Sequence, residues 1–307
     1  MITKRHIRLV GVVAVLLGIS FMAWSTFGRS DEAQQQAVLT ELGEVAASIP
    51  PPAPNAPDDF PAIIDSAVRD PETNSIPVGA TFEIIEQTPH DTTAFTQGLE
   101  FDGDRLFEST GIVGESTLRE IDPTTGAVLR SIAVDDVFAE GLTVVDDTLI
   151  QLTWQNGIAY RYDIDTFEQL DTYAYEGQGW GLCDDGDRLV MSDGSPTLQF
   201  RDRDSFELIS TIDVEFNNSP VDELNELECV AGKVWANIWK SSLIIEIDPL
   251  SGKVSTVLNA RSLTPPSVEG SNSNVLNGIA YDDRDDTYLI TGKRWPTMYR
   301  VRIDAIG

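Results

Sequence analysis

Histidine is nearly absent from this chain of 307 residues, which holds two, His6 and His90. Cysteine is as scarce, with Cys183 and Cys229 alone, and basic residues are outnumbered 50 to 21 by acidic ones. With one histidine beyond the first few residues, neither a histidine-rich zinc site nor a Ser-His-Asp triad is readily assembled. The formal net charge of −29 argues against nucleic acid as a partner, because a phosphate backbone needs a basic surface. The acidity reads first as a heavily solvated surface. It would also draw in cationic peptides, although charge governs encounter more than chemistry. Long hydrophobic runs are missing too, with one exception.

That exception is Leu9 to Phe27, which carries no charge and follows Lys4, Arg5 and Arg8. At about 1.5 Å per helical residue the run is long enough to cross a bilayer. The basic flank should stay in the cytoplasm, which places everything after Gly28 outside it. A cleaved signal peptide, with Ala23-Trp24-Ser25 as a weak small-x-small site, is the competing reading. No cysteine closes the segment, so a lipid anchor is not expected. From Gly28 to about Ile76 the chain is acidic, rich in Pro and Ala, and includes Ile49-Pro50-Pro51-Pro52-Ala53-Pro54; such a stretch is a flexible tether. The expected organisation is a signal or transmembrane anchor (1–28), a linker (29–76) and a folded domain (77–307). The domain is expected to be extracytoplasmic, membrane-anchored or secreted.

The folded part repeats. Five segments start alike: Phe95-Thr96-Gln97-Gly98-Leu99, Phe138-Ala139-Glu140-Gly141-Leu142, Gln178-Gly179-Trp180-Gly181-Leu182, Leu224-Asn225-Glu226-Leu227-Glu228 and Val275-Leu276-Asn277-Gly278-Ile279. Asp102-Gly103-Asp104-Arg105-Leu106 recurs as Asp185-Gly186-Asp187-Arg188-Leu189, and Asp-Gly between apolar runs is a hairpin signal. Later in each unit comes an alternating strand ending on aspartate, as in Leu118-Arg119-Glu120-Ile121-Asp122 and Ile244-Ile245-Glu246-Ile247-Asp248. Steps of 43, 40, 46 and 51 residues separate Gly98, Gly141, Gly181, Leu227 and Gly278. Alternation excludes a helical repeat, and four short strands in about 40–50 residues is the pattern of a propeller blade. The last unit is one strand short, and Thr81-Phe82-Glu83-Ile84-Ile85 can supply it. The expected fold is therefore all-β, a five-bladed β-propeller behind an N-terminal helix and tether.

In such a fold the strand starts meet around one mouth of the axis, here Gln97, Glu140, Trp180, Glu226 and Asn277, with Phe95 and Phe138 nearby. Trp154, Trp239 and Trp295 follow the second strands and are candidates to wall the same mouth. Packing is the commoner role for Trp and Phe, and Gln97 or Asn277 can equally bond a neighbouring backbone. Glu140 is the least comfortable as packing: among aromatics, desolvation would lift its pKa toward an acid/base range. Cys183 and Cys229 occupy equivalent positions on adjacent first strands. Such positions are expected to lie too far apart for a disulfide, leaving two buried thiols.

These segments, together with Glu108-Ser109-Thr110-Gly111, Leu152-Thr153-Trp154, Met191-Ser192-Asp193-Gly194-Ser195, Val234-Trp235-Ala236-Asn237 and Thr291-Gly292-Lys293-Arg294-Trp295-Pro296, resemble the plant and bacterial type of glutaminyl cyclase (glutaminyl-peptide cyclotransferase). The resemblance runs in order from about Phe82 to Arg302. It implies a five-bladed propeller that converts N-terminal glutamine to pyroglutamate and releases ammonia. It further implies Glu140 as the acid/base group and Lys293 as a nearby cation. Phe95, Gln97, Phe138, Trp154, Trp180, Asn225 and Trp239 would line the substrate pocket. No cofactor is expected for catalysis, although a structural cation in the channel is compatible with the fold. The implied partners are peptides or proteins with N-terminal glutamine, and the membrane if the first helix is retained; a monomer is expected. Two other readings are a silent extracytoplasmic peptide-binding propeller and a calcium-dependent, lactonase-like hydrolase using Glu140, Glu226, Asn225 and Asn277.

Overall fold

The computed structural model describes residues 78–305. The anchor or signal segment, the tether and the boundary at residue 77 lie outside the described residues. Among the described residues no helix is long and apolar enough to cross a membrane.

The described chain is all-β apart from one 3-10 turn. After β1 (Val78–Pro89) come three antiparallel meanders of four strands. The first is β2 (Thr96–Asp102), β3 (Arg105–Thr110), β4 (Thr117–Ile121) and β5 (Val128–Ala133). The second is β6 (Ala139–Val145), β7 (Thr148–Thr153), β8 (Ile158–Asp163) and β9 (Gln169–Ala174). The third is β10 (Leu182–Asp184), β11 (Leu189–Met191), β12 (Thr197–Arg201) and β13 (Leu208–Asp213). A small hairpin, β14 (Glu215–Phe216) and β15 (Ser219–Pro220), leads to β16 (Leu224–Val230), β17 (Lys233–Ile238), β18 (Leu243–Ile247) and β19 (Val254–Asn259). The 3-10 turn Arg261–Leu263 precedes β20 (Leu276–Asp282), β21 (Thr287–Gly292) and β22 (Thr297–Ala305). β1 completes this last unit: it runs antiparallel to β22, pairing Phe82 with Ile303 and Gln87 with Tyr299. Its first residues also touch β19 in parallel, which joins the last two units into one eight-stranded sheet.

The strands follow from burial demands. First strands such as Ala139–Val145 are buried along nearly their whole length, whereas the fourth strands, Val128–Ala133 and Leu208–Asp213, are mostly exposed. A sheet covered on both faces reads as a continuous apolar run, and one facing water does not. The third-to-fourth hairpins turn on aspartate. The Asp122 carboxylate accepts the Thr124 and Thr125 N–H groups at 2.8 and 3.0 Å, and Asp163 and Asp202 repeat the arrangement. This Asx turn is why each unit keeps that residue. Cores form between units: Phe107 and Leu118 pack with Leu142, Leu149 and Phe167, while Leu99 and Leu106 pack with Ala280, Leu289 and Met298.

The first strands neighbour one another in a cycle, β2 against β6, β6 against β10, β10 against β16, β16 against β20 and β20 against β2. They meet very closely at the repeated glycines. A Cβ on Gly98 would lie 2.5 Å from Leu142 N, one on Gly141 2.6 Å from Trp180 O, and one on Gly181 2.1 Å from Asn225 O. Side chains there would force the strands apart, which is the reason for glycine.

The same approach corrects one expectation. Cys183 and Cys229 are not free thiols but a disulfide, with Cα atoms 5.5 Å apart. They lie two residues beyond Gly181 and Leu227, where β10 and β16 are still drawn together. Closing a loop across a sequence separation of 46 is worth about 4 kcal/mol in chain entropy. Replacing both cysteines by alanine is expected to lower the unfolding free energy by about 2–4 kcal/mol in denaturant titration; an unchanged midpoint would count against the bridge.

Three carboxyls on these first strands, the buried Glu226 and Glu228 and the half-buried Glu100, are shifted in the same direction. Burial raises the pKa of Glu226, although the backbone N–H groups of Ile279 and Leu99 oppose the shift. Burial raises Glu228 as well, helped by repulsion from Glu100 and Glu226, and burial pushes Glu100 up to about 8. Raised carboxyls favour the fold while protonated, so their contribution is complete below the unfolded pKa of about 4.3 and is lost as pH climbs through the folded values. The thermal midpoint is expected to fall between about pH 5 and about pH 8, and Glu228→Gln should flatten that slope in a melting series.

Candidate active site

Four of the five first strands begin with a β-bulge. Thr96 and Gly98 pair with consecutive residues Thr110 and Ser109, leaving Gln97 as the extra residue. Ala139 and Leu142 pair with Thr153 and Gln151, and the same slip occurs between Leu224 and Leu227 and between Leu276 and Ile279. A bulge bends its strand and re-aims a side chain. These bulges carry Gln97, Glu140, Asn225 and Asn277, the polar residues at the strand starts.

A cavity of about 220 Å³ opens at this end of the strands. All nine site residues implied by the resemblance line it. Its polar part is Gln97, Glu140, Asn225 and Lys293, each buried. Its wall is aromatic and partly exposed. Phe138 meets Phe95 edge-on at 6.0 Å and Trp154 at 5.7 Å, while Trp180 meets Trp239 at 5.4 Å. Lys293 comes from the turn after β21, its Nζ 5.0 Å from the centre of the Phe95 ring.

Asn272 and Ser273 also line the cavity; the sequence reading missed them. They sit in the insertion that stretches the last repeat step, and that excess length was the available signal. Gln178 was missed too. Its Oε1 accepts both indole N–H groups, Trp154 Nε1 at 2.6 Å and Trp180 Nε1 at 3.0 Å, so one amide orients two walls of the pocket.

Three proposed members of the mouth lie elsewhere. Glu226 does not line the cavity: its carboxylate accepts Ile279 N–H at 2.9 Å and Leu99 N–H at 3.3 Å, satisfying backbone donors of two other first strands. Asn277 stands behind the site and donates to Thr96 O at 3.0 Å and Gln97 Oε1 at 3.2 Å. With its oxygen engaged there, Gln97 is left its amide N–H groups for the cavity. Trp295 is fully buried in the core between the last two units, as its bulk favours. The calcium-hydrolase reading thereby loses two of its four ligands, Glu226 and Asn277, from the cavity. Among the described residues no group of three or more His, Cys, Asp or Glu side chains is placed to hold a metal ion.

Glu140 and Lys293 are the charged pair of the pocket. Burial lifts the Glu140 pKa well above the usual carboxylate range, with Lys293 opposing the shift. Burial lowers Lys293 to about 8, with Glu140 opposing. Neither is held by an ion pair shorter than 4 Å among the described residues, so both heads remain available to a ligand in the cavity. The Glu140 main chain is fixed instead: Ser109 Oγ donates to its carbonyl, and Gln151 Nε2 holds that hydroxyl at 2.7 Å.

An all-β scaffold whose first strands begin at an aromatic-walled pocket with a buried carboxyl and amine is the class of site the fold defines. The comparisons with known proteins narrow that class. The family model for glutamine cyclotransferase matches residues 62–303. The glutaminyl-peptide cyclotransferase of Arabidopsis thaliana is 36% identical over 226 residues, covering 72% of this chain and 71% of that protein. The crystal structure of Myxococcus xanthus glutaminyl cyclase matches with a TM-score of 0.70 at 39% identity, over 75% of this chain and 100% of that one. The chain belongs to the glutamine cyclotransferase family.

The electrostatics make a prediction independent of turnover. Lys293 is expected to titrate near pH 8, read by NMR of reductively ¹³C-methylated lysines. Glu140→Gln removes the opposing charge and is expected to lower that value further; a Lys293 titrating in the ordinary lysine range would contradict a buried site.

Proposed function

We propose that this protein is a glutaminyl-peptide cyclotransferase, converting an N-terminal glutamine to pyroglutamate with release of ammonia. The observation that carries the reading is the pocket itself: in a chain of this family, a buried carboxyl and a buried amine, with no ion pair shorter than 4 Å among the described residues, line one small cavity under aromatic walls. The substrate's α-amine and γ-carboxamide are already tethered, so the protein's task is to fold the side chain into ring geometry, and rigid aromatic walls supply such positioning.

The proton traffic falls to Glu140. An α-ammonium has a pKa of about 8, and its arrival beside Glu140 favours the carboxylate that burial had disfavoured. The carboxylate takes one proton from the ammonium. The freed nitrogen attacks the γ-carbon and forms the ring C–N bond while the carbonyl oxygen gathers negative charge. Lys293 and the amide of Gln97 are the donors for that oxygen. The amide nitrogen then takes the proton from Glu140 and leaves as ammonia as its C–N bond breaks and the oxyanion collapses to the ring carbonyl. The ring nitrogen gives its second proton to the Glu140 carboxylate, which passes it to the ammonia and is restored. Trp154, Trp180, Trp239, Phe95 and Phe138 hold the chain of the substrate, and Asn225 adds a polar contact at the buried end. No step calls for a metal.

The scaffold is a closed five-bladed propeller in this proposal, with β1 and β22 completing one blade; the cyclic order of the first strands supports it. The protein works outside the cytoplasm, tethered or released through residues 9–27. The Cys183–Cys229 disulfide supports that placement, since such bonds persist in oxidising compartments.

Mass spectrometry of a Gln-initiated peptide incubated with the protein is expected to show loss of ammonia, undiminished by a chelator. Glu140→Gln should slow it by about 10²–10⁴-fold. Turnover near that of the unaltered protein in this variant would overturn the assignment of Glu140.

A further inference from the structure

His90 lies outside the cavity, yet it holds the turn that delivers Lys293. Its side chain is 1% exposed, and so is that of Glu108 facing it. Both ring nitrogens point at acceptors: Nε2 is 2.9 Å from Glu108 Oε1 and Nδ1 is 2.9 Å from Trp295 O. A neutral imidazole has one N–H and one bare nitrogen, so it can satisfy only one of these two acceptors by donation. The main-chain N–H of His90 donates to the next carbonyl of the turn, Pro296 O, at 2.9 Å. One residue therefore grips two successive carbonyls, two and three residues beyond Lys293. The far side of the turn is held by Lys293 N–H to Val275 O at 2.9 Å and Arg294 N–H to Ala94 O at 2.7 Å.

The grip extends to the other donor in the pocket. Thr96 Oγ1 donates to the same Glu108 oxygen at 2.8 Å. The Thr96 carbonyl receives the Asn277 amide, which also holds Gln97. Lys293 and Gln97 are thus tied to one buried carboxylate from opposite sides. The charged and titratable groups around His90 are Glu108, Asp91 and Arg119; Arg119 lies 2.9 Å from Asp91 Oδ2 and 3.7 Å from Glu108 Oε2. Thr291 Oγ1 is the remaining polar neighbour, at 3.4 Å from Nδ1.

We propose that His90 is a resident imidazolium which, paired with Glu108, is the positioning residue that sets Lys293 and Gln97 at their mutual distance in the pocket. Burial works against the charge, but Glu108 and the Trp295 carbonyl outweigh it, and the His90 pKa is raised. The proposal rests on the cyclase reading for what Lys293 and Gln97 do, but not for the state of His90.

With only two histidines in the chain, ¹⁵N-histidine labelling of the whole protein isolates the question. The His90 signals are expected to keep the doubly protonated pattern at pH 7.5, a pH at which an ordinary histidine of pKa about 6.5 is mostly neutral. A neutral pattern at that pH would overturn the proposal, whether or not the protein releases ammonia. The second arm is Glu108→Gln, which keeps the shape and removes the charge. Its kcat is expected to fall by about ten- to a hundred-fold with KM nearly unchanged, as for a small misplacement of reacting groups. The NMR titration of Lys293 should shift in the same variant. A variant that melts earlier but keeps both kcat and the Lys293 titration would mean a purely structural pair and would sink the idea. Absence of ammonia release from the unaltered protein would instead defeat the cyclase reading, with the His90 pattern and the Lys293 shift still deciding this one.

Discussion

The close approach of the first strands at Gly98, Gly141 and Gly181 is the constraint on which the rest depends. Backbones that meet within side-chain distance cannot also keep a regular ladder, and bulges open where they converge. Each bulge frees N–H groups that are buried and must find acceptors. Acceptors come from other units, Trp180 O for Gly141, Asn237 Oδ1 for Gly278 and the Glu226 carboxylate for Leu99 and Ile279, while Gly181, on the strand without a bulge, is served within its own unit by Ser192 Oγ. Polar side chains that look like a second active site are thereby committed to the backbone.

The pocket follows from the same geometry. Residues on the bulges that are not needed for backbone pairing, Gln97, Glu140 and Asn225, are turned toward the cavity, and the turn after β21 adds Lys293. Desolvation then shifts the charged pair toward each other, the carboxyl upward and the amine down to about 8. Aromatic rings hold water away from them, and Gln178 fixes two of those rings from outside. Chemistry and scaffold share one structural origin, so a change in how the strands meet alters both.

Much of this was legible in the residues. The Asp-Gly hairpins, the aspartate-ended third strands and the missing strand of the last unit are local patterns with local causes, and β1 does pair with β22 where Thr81 to Ile85 stands. Variation at the strand starts made Gln97, Glu140 and Trp180 legible as pocket residues, and the rest of the nine were implied by the family resemblance. The failures share another character. Glu226 and Glu140 occupy matching places in their units, yet one bonds backbone and the other faces the cavity. Trp154 and Trp295 both follow second strands, yet one is a pocket wall and the other is core. Cys183 and Cys229 stand on first strands of different sheets, so no ladder in the sequence pattern sets their spacing, and only the packing of those strands brings the Cα atoms to 5.5 Å.

By itself the sequence determined the repeat of units, the run of most strands and the turn chemistry, because these depend on periodicity and residue type over short spans. Tertiary structure alone decided which of the equivalent residues share a cavity, which cysteines bond and how His90 reaches the turn of Lys293. Those outcomes depend on distances between residues far apart in the chain, and such distances are set by how tightly five strand starts pack.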